Sequence, residues 1–425
     1  MRLIGNKTKL LPEIERVLKR EGIRSGTLLD VFAGTSSVGR HFKSQGFQVV
    51  SNDNMSLCYA QAVAGVEQSE YPSFAKLRSE HSDAFNTESF RHSLITALGE
   101  SGLKPKAAEL PLIEAIHFLN TATESRVGLV TRCFSPQGAE GRRYFTETNA
   151  MRIDGVLEFL KMSRSDSVIS RGEFYLLLAS LVDAADRVAN ISGTYGAYLK
   201  GWQSNSQRDL SLRAPTILPS ELKHRAYRGD ANDIVRDVAC DVLYIDPPYN
   251  RRQYPANYHV LEILAEFHRL DDPKAFEETL YGKTGLRPYE DLKSDFCVPV
   301  GRRREGRRDV FQAMHDLILS SKAKHVVISY NEEGLLSREQ IGEILAEFSG
   351  QDYNYRKNFK EILYKRFRSD SDHQADSGRA SRHYRVVDGR KRDEIAEWLF
   401  FASASPERVA GLAGNVDSGE TPTTS

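Results

Sequence analysis

At 425 residues the chain exceeds the length at which one hydrophobic core stops growing, so two domains or one elaborated α/β domain are expected, and a 40% hydrophobic content suffices to build them. Fifty-eight basic residues balance 58 acidic ones, which excludes a polyanion binder working through whole-protein charge. No window approaches 18 uncharged apolar residues, and Met1 to Asn6 lacks an apolar signal region, so no membrane span is expected and the expected location is the cytoplasm.

In chain order, the first clear unit is βαβ. Thr27 to Phe32 is a buried-strand run, Ala33-Gly34-Thr35-Ser36-Ser37 a small-residue turn, Val38 to Gln45 a short helix, and Phe47 to Ser51 the next strand. From about residue 61 to 219 the pattern changes to helical spacing, notably over Leu110 to Leu119 and Phe174 to Val188, which predicts an inserted, mostly helical region. Val242 to Ile245 and His325 to Ser329 then read as parallel strands covered on both faces, and Trp398 to Phe401 as an edge strand. The expected fold is α/β, a doubly wound, mostly parallel sheet assembled from residues 1–60 and 220–402 around the insertion. Arg366 to Ser381 reads as a mobile loop and residues 403–425 as a disordered tail. The four cysteines, Cys58, Cys133, Cys240 and Cys297, show no paired spacing, so neither a disulfide framework nor a metal site is expected.

The most specific motif is Asp246-Pro247-Pro248-Tyr249, at the end of the Val242 to Ile245 strand. Two prolines stiffen the turn and remove backbone donors, so a carboxylate, a carbonyl and an aromatic face meet an approaching amine with acceptors only. Upstream, Asp30-Val31-Phe32-Ala33-Gly34 delivers a strand end to a helix, where open α/β sheets bind ligands. Neither a three-glycine dinucleotide pattern nor a phosphate-loop lysine is present, which disfavours a pyrophosphate ligand. Asp53, one strand later, is placed to bind ribose hydroxyls; an acid there is also a common helix cap. Together these groups describe a site for S-adenosylmethionine facing a nucleobase.

At this point the chain resembles the Dam-like, alpha-group adenine-specific DNA methyltransferases, and within them the type II modification methylases. Gly5-Asn6-Lys7-Thr8-Lys9-Leu10-Leu11 looks like the N-terminal cofactor motif, Asp30 to Gly34 the first glycine motif, and Asp246 to Tyr249 the catalytic motif. Further likeness lies in Asn250 to Tyr254, Asn257 to Glu262, Arg143 to Thr146 with Asn149 and Asp154, and Ala189-Asn190 through Ala197. The first motif departs from the pattern by reading Ala-Gly-Thr-Ser-Ser without its second glycine.

The resemblance implies a Rossmann-like class I methyltransferase fold whose insertion, residues 61–219, recognises the DNA target. It implies cofactor contacts from Lys7, Asp30, Phe32, Ala33, Gly34, Asp53, Asp230 and Ala231, with Asp230 on the cofactor adenine. Asp246, Pro247, Pro248 and Tyr249 would then act on a flipped adenine in double-stranded DNA. A cognate restriction endonuclease reading the same site without a stable complex would be the functional partner. Arginine clusters suggest phosphate contacts: Arg251 and Arg252 beside the motif, Arg302, Arg303 and Arg304 in a loop extended by Arg307 and Arg308, and Arg142 with Arg143. His259 reads as a packing residue, and Phe145, Tyr195, Tyr198 and Trp202 as core. Two alternatives remain at this stage: methylation of RNA or of a protein glutamine, and a non-catalytic DNA-binding relative.

Overall fold

The computed structural model describes residue 3 and residues 7–251, 253–302, 306–365 and 394–413. Seven strands form one sheet: β1 (Thr27–Asp30), β2 (Gln48–Asp53), β3 (Arg225–Arg228), β4 (Ala239–Ile245), β5 (Lys322–Asn331), β6 (Phe359–Lys365) and β7 (Glu394–Ser403). Their spatial order is β3-β2-β1-β4-β5-β7-β6. The first five are parallel, and β7 runs antiparallel to both neighbours. From β1 the chain winds outward to β2, whereas from β4 it winds the other way to β5. The carboxyl ends of β1 and β4 therefore flank the point where strand order reverses, and a crevice opens there.

Alternation along the strands divides the core. Leu28, Val242, Tyr244, Val327, Leu399 and Phe401 face the helices α1 (Leu11–Arg20) and α2 (Ser37–Ser44), whose Ile14, Leu18, Val38 and Phe42 are buried against them. Leu29, Leu243, Ile245, Val326, Ile328 and Phe400 point to the opposite face, covered by the helices Ala231–Asp237, Val310–Leu319 and Arg338–Ser349. By the same period of two, Asp246 falls on the Tyr244 side, Ser329 and Asn331 on the Val327 side and Glu397 on the Leu399 side. These four polar positions thus lie at one end of the α1/α2 face.

A third apolar cluster runs from α3 (Ser56–Ala62) through the helices Leu110–Thr121, Leu129–Phe134, Glu147–Ser165 and Arg171–Val188, and includes Tyr258 to Phe267. Two helix starts here are capped at a distance. The buried Asp154 carboxylate accepts the amides of Gly128, Val130 and Thr131, and buried Glu262 accepts those of Ser56 and Leu57. Each anion satisfies amides that helix geometry leaves without partners and meets the positive end of the helix dipole. Asn149, Asn190 and Tyr144 similarly brace backbone at Leu210, Leu199 and Tyr195. Asp154, Glu262, Asn149, Asn190 and Tyr144, family-like residues outside the motifs, therefore serve as scaffold.

Two expectations change. Trp398 to Phe401 belongs to a ten-residue strand that is interior, between β5 and β6, and β6 takes the edge. Part of the tail read as disordered, Pro406–Ala413, is helical; residues 414–425 and the expected loop 366–381 lie outside the described residues. Among the described residues, no helix is long and apolar enough to cross a membrane, and no group of His, Cys, Asp and Glu would hold a metal ion.

Candidate active site

The crevice between β1 and β4 is a cleft enclosing about 1120 Å³ of space, part of it open to solvent. Its walls include Lys7, Asp30, Phe32, Ala33, Gly34, Asp53, Asp230, Ala231, Asp246, Pro247, Pro248 and Tyr249, so every residue of both proposed sets reaches one space. The tip of β4 and the turn after β1 share it.

The turn after β1 exposes backbone to the cleft. Gly34 has φ +51°, and a Cβ there would meet no atom within 4 Å, so a ligand can approach the main chain closely. Two residues on, Ser36 takes the left-handed conformation with φ +58°, and its buried hydroxyl has no hydrogen-bond partner. Asp53 holds the turn: its carboxylate accepts from the Gly34 amide at 2.9 Å and the Met55 amide at 3.0 Å. It lines the cleft and braces the turn but does not cap α3, whose Ser56 and Leu57 amides are taken by Glu262. Asp230 caps the helix Ala231–Asp237 through the Asn232 amide, and Phe32 meets Phe296 edge to face at 5.0 Å across the cleft.

At the β4 tip the ammonium of Lys7 lies 3.0 Å from Asp246 Oδ1 and bonds Glu397 Oε1 directly. Ser329 Oγ donates to Glu397 Oε1 at 2.6 Å and Asn331 Nδ2 to Oε2 at 3.4 Å. Lys7 is buried, which works against its charge, but Asp246 and Glu397 outweigh that and raise its pKa well above the usual lysine value. Burial raises the Asp246 pKa, Lys7 opposes the rise, and Glu397 adds to it. Asp30 is pushed up to about 8, first by burial and then by the charges of Asp246 and Asp53, with only the Gly39 amide, outside hydrogen-bonding geometry, opposing.

Sequence reasoning missed Glu397, Tyr244, Gln253, Tyr254 and Phe296. Gln253 bonds both the amide and the carbonyl of Ser294, at 3.0 and 3.4 Å, and so ties the Leu292 to Phe296 wall to the segment after the catalytic motif. Gln253 sits four residues after Tyr249 in the family-like stretch, a signal that was available. Glu397 carried none.

The arginine clusters divide. Arg251 and Arg302 are exposed, while Arg252, Arg303 and Arg304 lie outside the described residues. Arg307 and Arg308 bond Glu290 O and Asp295, and buried Arg142 bonds the carbonyls of Cys133, Gly282 and Lys283. Arg142 is therefore a strut and not a phosphate contact. His259 is buried between the carbonyls of Ala256 and Thr284, with its pKa lowered by burial. Phe145 and Tyr195 are fully buried, in keeping with core packing.

With this geometry in place, comparison with known proteins adds the decisive observation: residues 3–344 match the D12 class N6 adenine-specific DNA methyltransferase family. The chain belongs to that family. Its relatives include type II methyltransferase M.FokI of Planomicrobium okeanokoites, 35% identical over 87% of this chain and 50% of the relative, and modification methylase StsI of Streptococcus sanguinis, 33% identical over 96% and 52%. The chain thus spans about half the length of these two. Against type II methyltransferase M.NlaIII of Neisseria lactamica, 31% identical, it covers 87% of itself and 93% of the relative. For a D12-class chain, the seven-stranded, mostly parallel sheet is a Rossmann-like methyltransferase fold.

Proposed function

We propose that this D12-class protein transfers a methyl group from S-adenosylmethionine to the exocyclic amine of a flipped adenine in duplex DNA, as the modification enzyme of a restriction-modification system. The observation that carries the proposal is the single cleft shared by the Gly34 turn and the Asp246 tip. Its residues fit the cofactor: the open backbone at Gly34, the carboxylate of Asp53, the apolar Ala231 and the Phe32–Phe296 pair suit a nucleoside, and nearby carboxylates suit a cation. Lys7, Asp30, Phe32, Ala33, Gly34, Asp53, Asp230 and Ala231 would hold it. When bound, it supplies an electrophilic methyl on a positively charged sulfur.

Asp246 and the Pro247 carbonyl each accept one N–H of the adenine amine. Lys7 occupies Asp246 Oδ1, so this role falls to Oδ2. The two acceptors draw the nitrogen toward tetrahedral geometry and free its lone pair from the ring. Positive charge builds on nitrogen as the N–C bond forms, and fixed acceptors stabilise that charge more in the transition state than in the ground state. A raised proton affinity also suits Asp246 to take the proton that the alkylated nitrogen releases. Tyr249 stacks on the flipped base, at a site whose unstacking cost of a few kcal/mol is offset by phosphate contacts from Arg251 and its neighbours. Residues 61–219 provide the surface that reads the target. A cognate endonuclease would act on the same sequence, and the reaction would take place in the cytoplasm.

The test is tritium transfer from labelled cofactor into unmethylated genomic DNA, with RNA and total protein as parallel acceptors. Incorporation into DNA that vanishes in Asp246→Ala, with cofactor binding retained, is expected. Full activity in that variant, or incorporation only into RNA or protein, would reject the proposal.

A further inference from the structure

Glu397 is a charged side chain with 1% exposure, on a strand that carries none of the family's motifs. A buried carboxylate needs a partner for its charge and donors for its remaining lone pairs. Lys7 supplies the first, and Ser329 and Asn331 the second. Register explains why these residues meet: Asn331 pairs directly with Glu397 across the β5/β7 ladder, and Ser329 lies two residues back on the same face. The position is fixed by backbone, because β7 is bonded on both sides.

Two carboxylates therefore share one ammonium. Without Glu397, Lys7 would be free to move fully onto Asp246, the shorter side chain at the strand tip. An ammonium wholly committed to Asp246 competes with an incoming amine for the carboxylate lone pairs and withdraws electron density from it. With Glu397 in place, Lys7 is tethered toward β7 and approaches Asp246 most closely at Oδ1.

We infer that Glu397 is a positioning residue for methyl transfer: it holds Lys7 back from Asp246, and so keeps one Asp246 oxygen available and basic for the target amine. This rests on the assignment of Asp246 as the amine acceptor. The other charged and titratable groups facing this spot are Asp30 from β1, Tyr244 from β4, Tyr249 and Tyr254 after the motif, and Glu333 after β5. The negative charge of Glu397 raises the proton affinity of Asp246, so neutralising it should have the opposite effect.

Glu397→Gln keeps the shape and an acceptor for Lys7 or Ser329 while removing the charge. Measured on the full chain with tritiated cofactor and unmethylated genomic DNA, kcat should fall on the order of tenfold while KM for both substrates stays within about twofold. The acid limb of the kcat profile should move to lower pH by about half a unit or more. Ser329→Ala, which loosens Glu397 without touching its charge, should lower kcat less and leave that limb in place. An unchanged kcat and acid limb in Glu397→Gln overturns the inference, as does a loss of kcat accompanied by lower thermal stability and no shift of the limb. Asp246→Asn separates the two levels. If it retains turnover, the underlying assignment of Asp246 fails; if it is inactive while Glu397→Gln behaves as the unaltered protein, only the role of Glu397 fails.

Discussion

Replacing Lys7 with methionine tests the buried charge cluster through stability, independently of any catalytic role. The ammonium is 3.0 Å from Asp246 Oδ1 and in direct contact with Glu397, and its side chain is only 6% exposed. At an effective dielectric constant near 20, unit charges at that separation attract by about 5 kcal/mol. Desolvation of the lysine offsets part of this, but its removal strands two carboxylates that are already dehydrated. Breaking a buried pair by deleting one partner costs about 3–5 kcal/mol, and that is the expected loss for Lys7→Met at pH 7. The sign with pH follows from the carboxylates. Without Lys7 the Asp246 pKa, already raised by burial, rises further above its unfolded value, so the variant is relatively more stable at low pH and loses stability as pH rises. Urea unfolding of both proteins at pH 5 and pH 7 should therefore show a smaller deficit at pH 5. Removing the stranded charge as well, in Lys7→Met/Glu397→Leu, should recover part of the loss. A deficit below about 1 kcal/mol at pH 7 would refute the reasoning, because it would mean that the cluster is hydrated or that its charges are not coupled.

Ser36→Gly should raise stability by about 1 kcal/mol in the same unfolding assay, because relief of left-handed strain and of a buried hydroxyl without a partner outweighs the added chain entropy of glycine. Arg142→Ala should lower stability by about 2–4 kcal/mol and leave the salt dependence of DNA affinity unchanged, since its guanidinium bonds three carbonyls and is buried. Arg251→Ala should do the reverse: little change in stability, and a salt slope of DNA binding reduced by about one in a filter-binding titration.

How far the sequence reveals this molecule depends on whether a residue's meaning is local. Leu28-Leu29, Val49-Val50, Val242 to Ile245 and Val326 to Ile328 are legible as covered parallel strands because both faces are apolar. β3 was not legible: Arg225-Ala226-Tyr227-Arg228 sits at the sheet edge, where two exposed arginines replace the apolar run. The apolar half of β7 was read, but not its place, since register between β5, β7 and β6 is set by pairing and no residue of Trp398 to Phe401 encodes it. The same distinction holds at the cleft. Asp246 to Tyr249 and Asp30 to Gly34 are contiguous motifs whose backbone chemistry can be read directly. Glu397 lies 390 positions from Lys7, and only the ladder that sets it opposite Asn331 turns an ordinary strand glutamate into part of the cluster.

The charges around the β4 tip also bound the pH range in which such a site can work. Asp246 must be ionised to accept an N–H, and burial has raised its pKa, so activity should climb as pH rises through that value. Asp30 behaves differently, because neither of its oxygens has a hydrogen-bond partner and its pKa has been pushed up to about 8 from 3.8. A carboxyl whose folded pKa lies above its unfolded value adds stability that is fully present below the unfolded pKa and is lost as pH rises through the folded one. Asp30 therefore favours the fold in its neutral form and penalises it progressively between pH 4 and 8, beside a carboxylate whose ionisation the proposed reaction requires. Neutrality at Asp30 and charge at Asp246 are compatible only in the interval between the two. Asp30→Asn fixes the neutral state with the same shape, so the fall in urea midpoint between pH 6 and 9 should flatten, and activity should persist further into the alkaline range. If the variant's midpoint falls as steeply as that of the unaltered protein, the ionisation of Asp30 does not set the alkaline boundary and the charge must be accommodated elsewhere in the cleft.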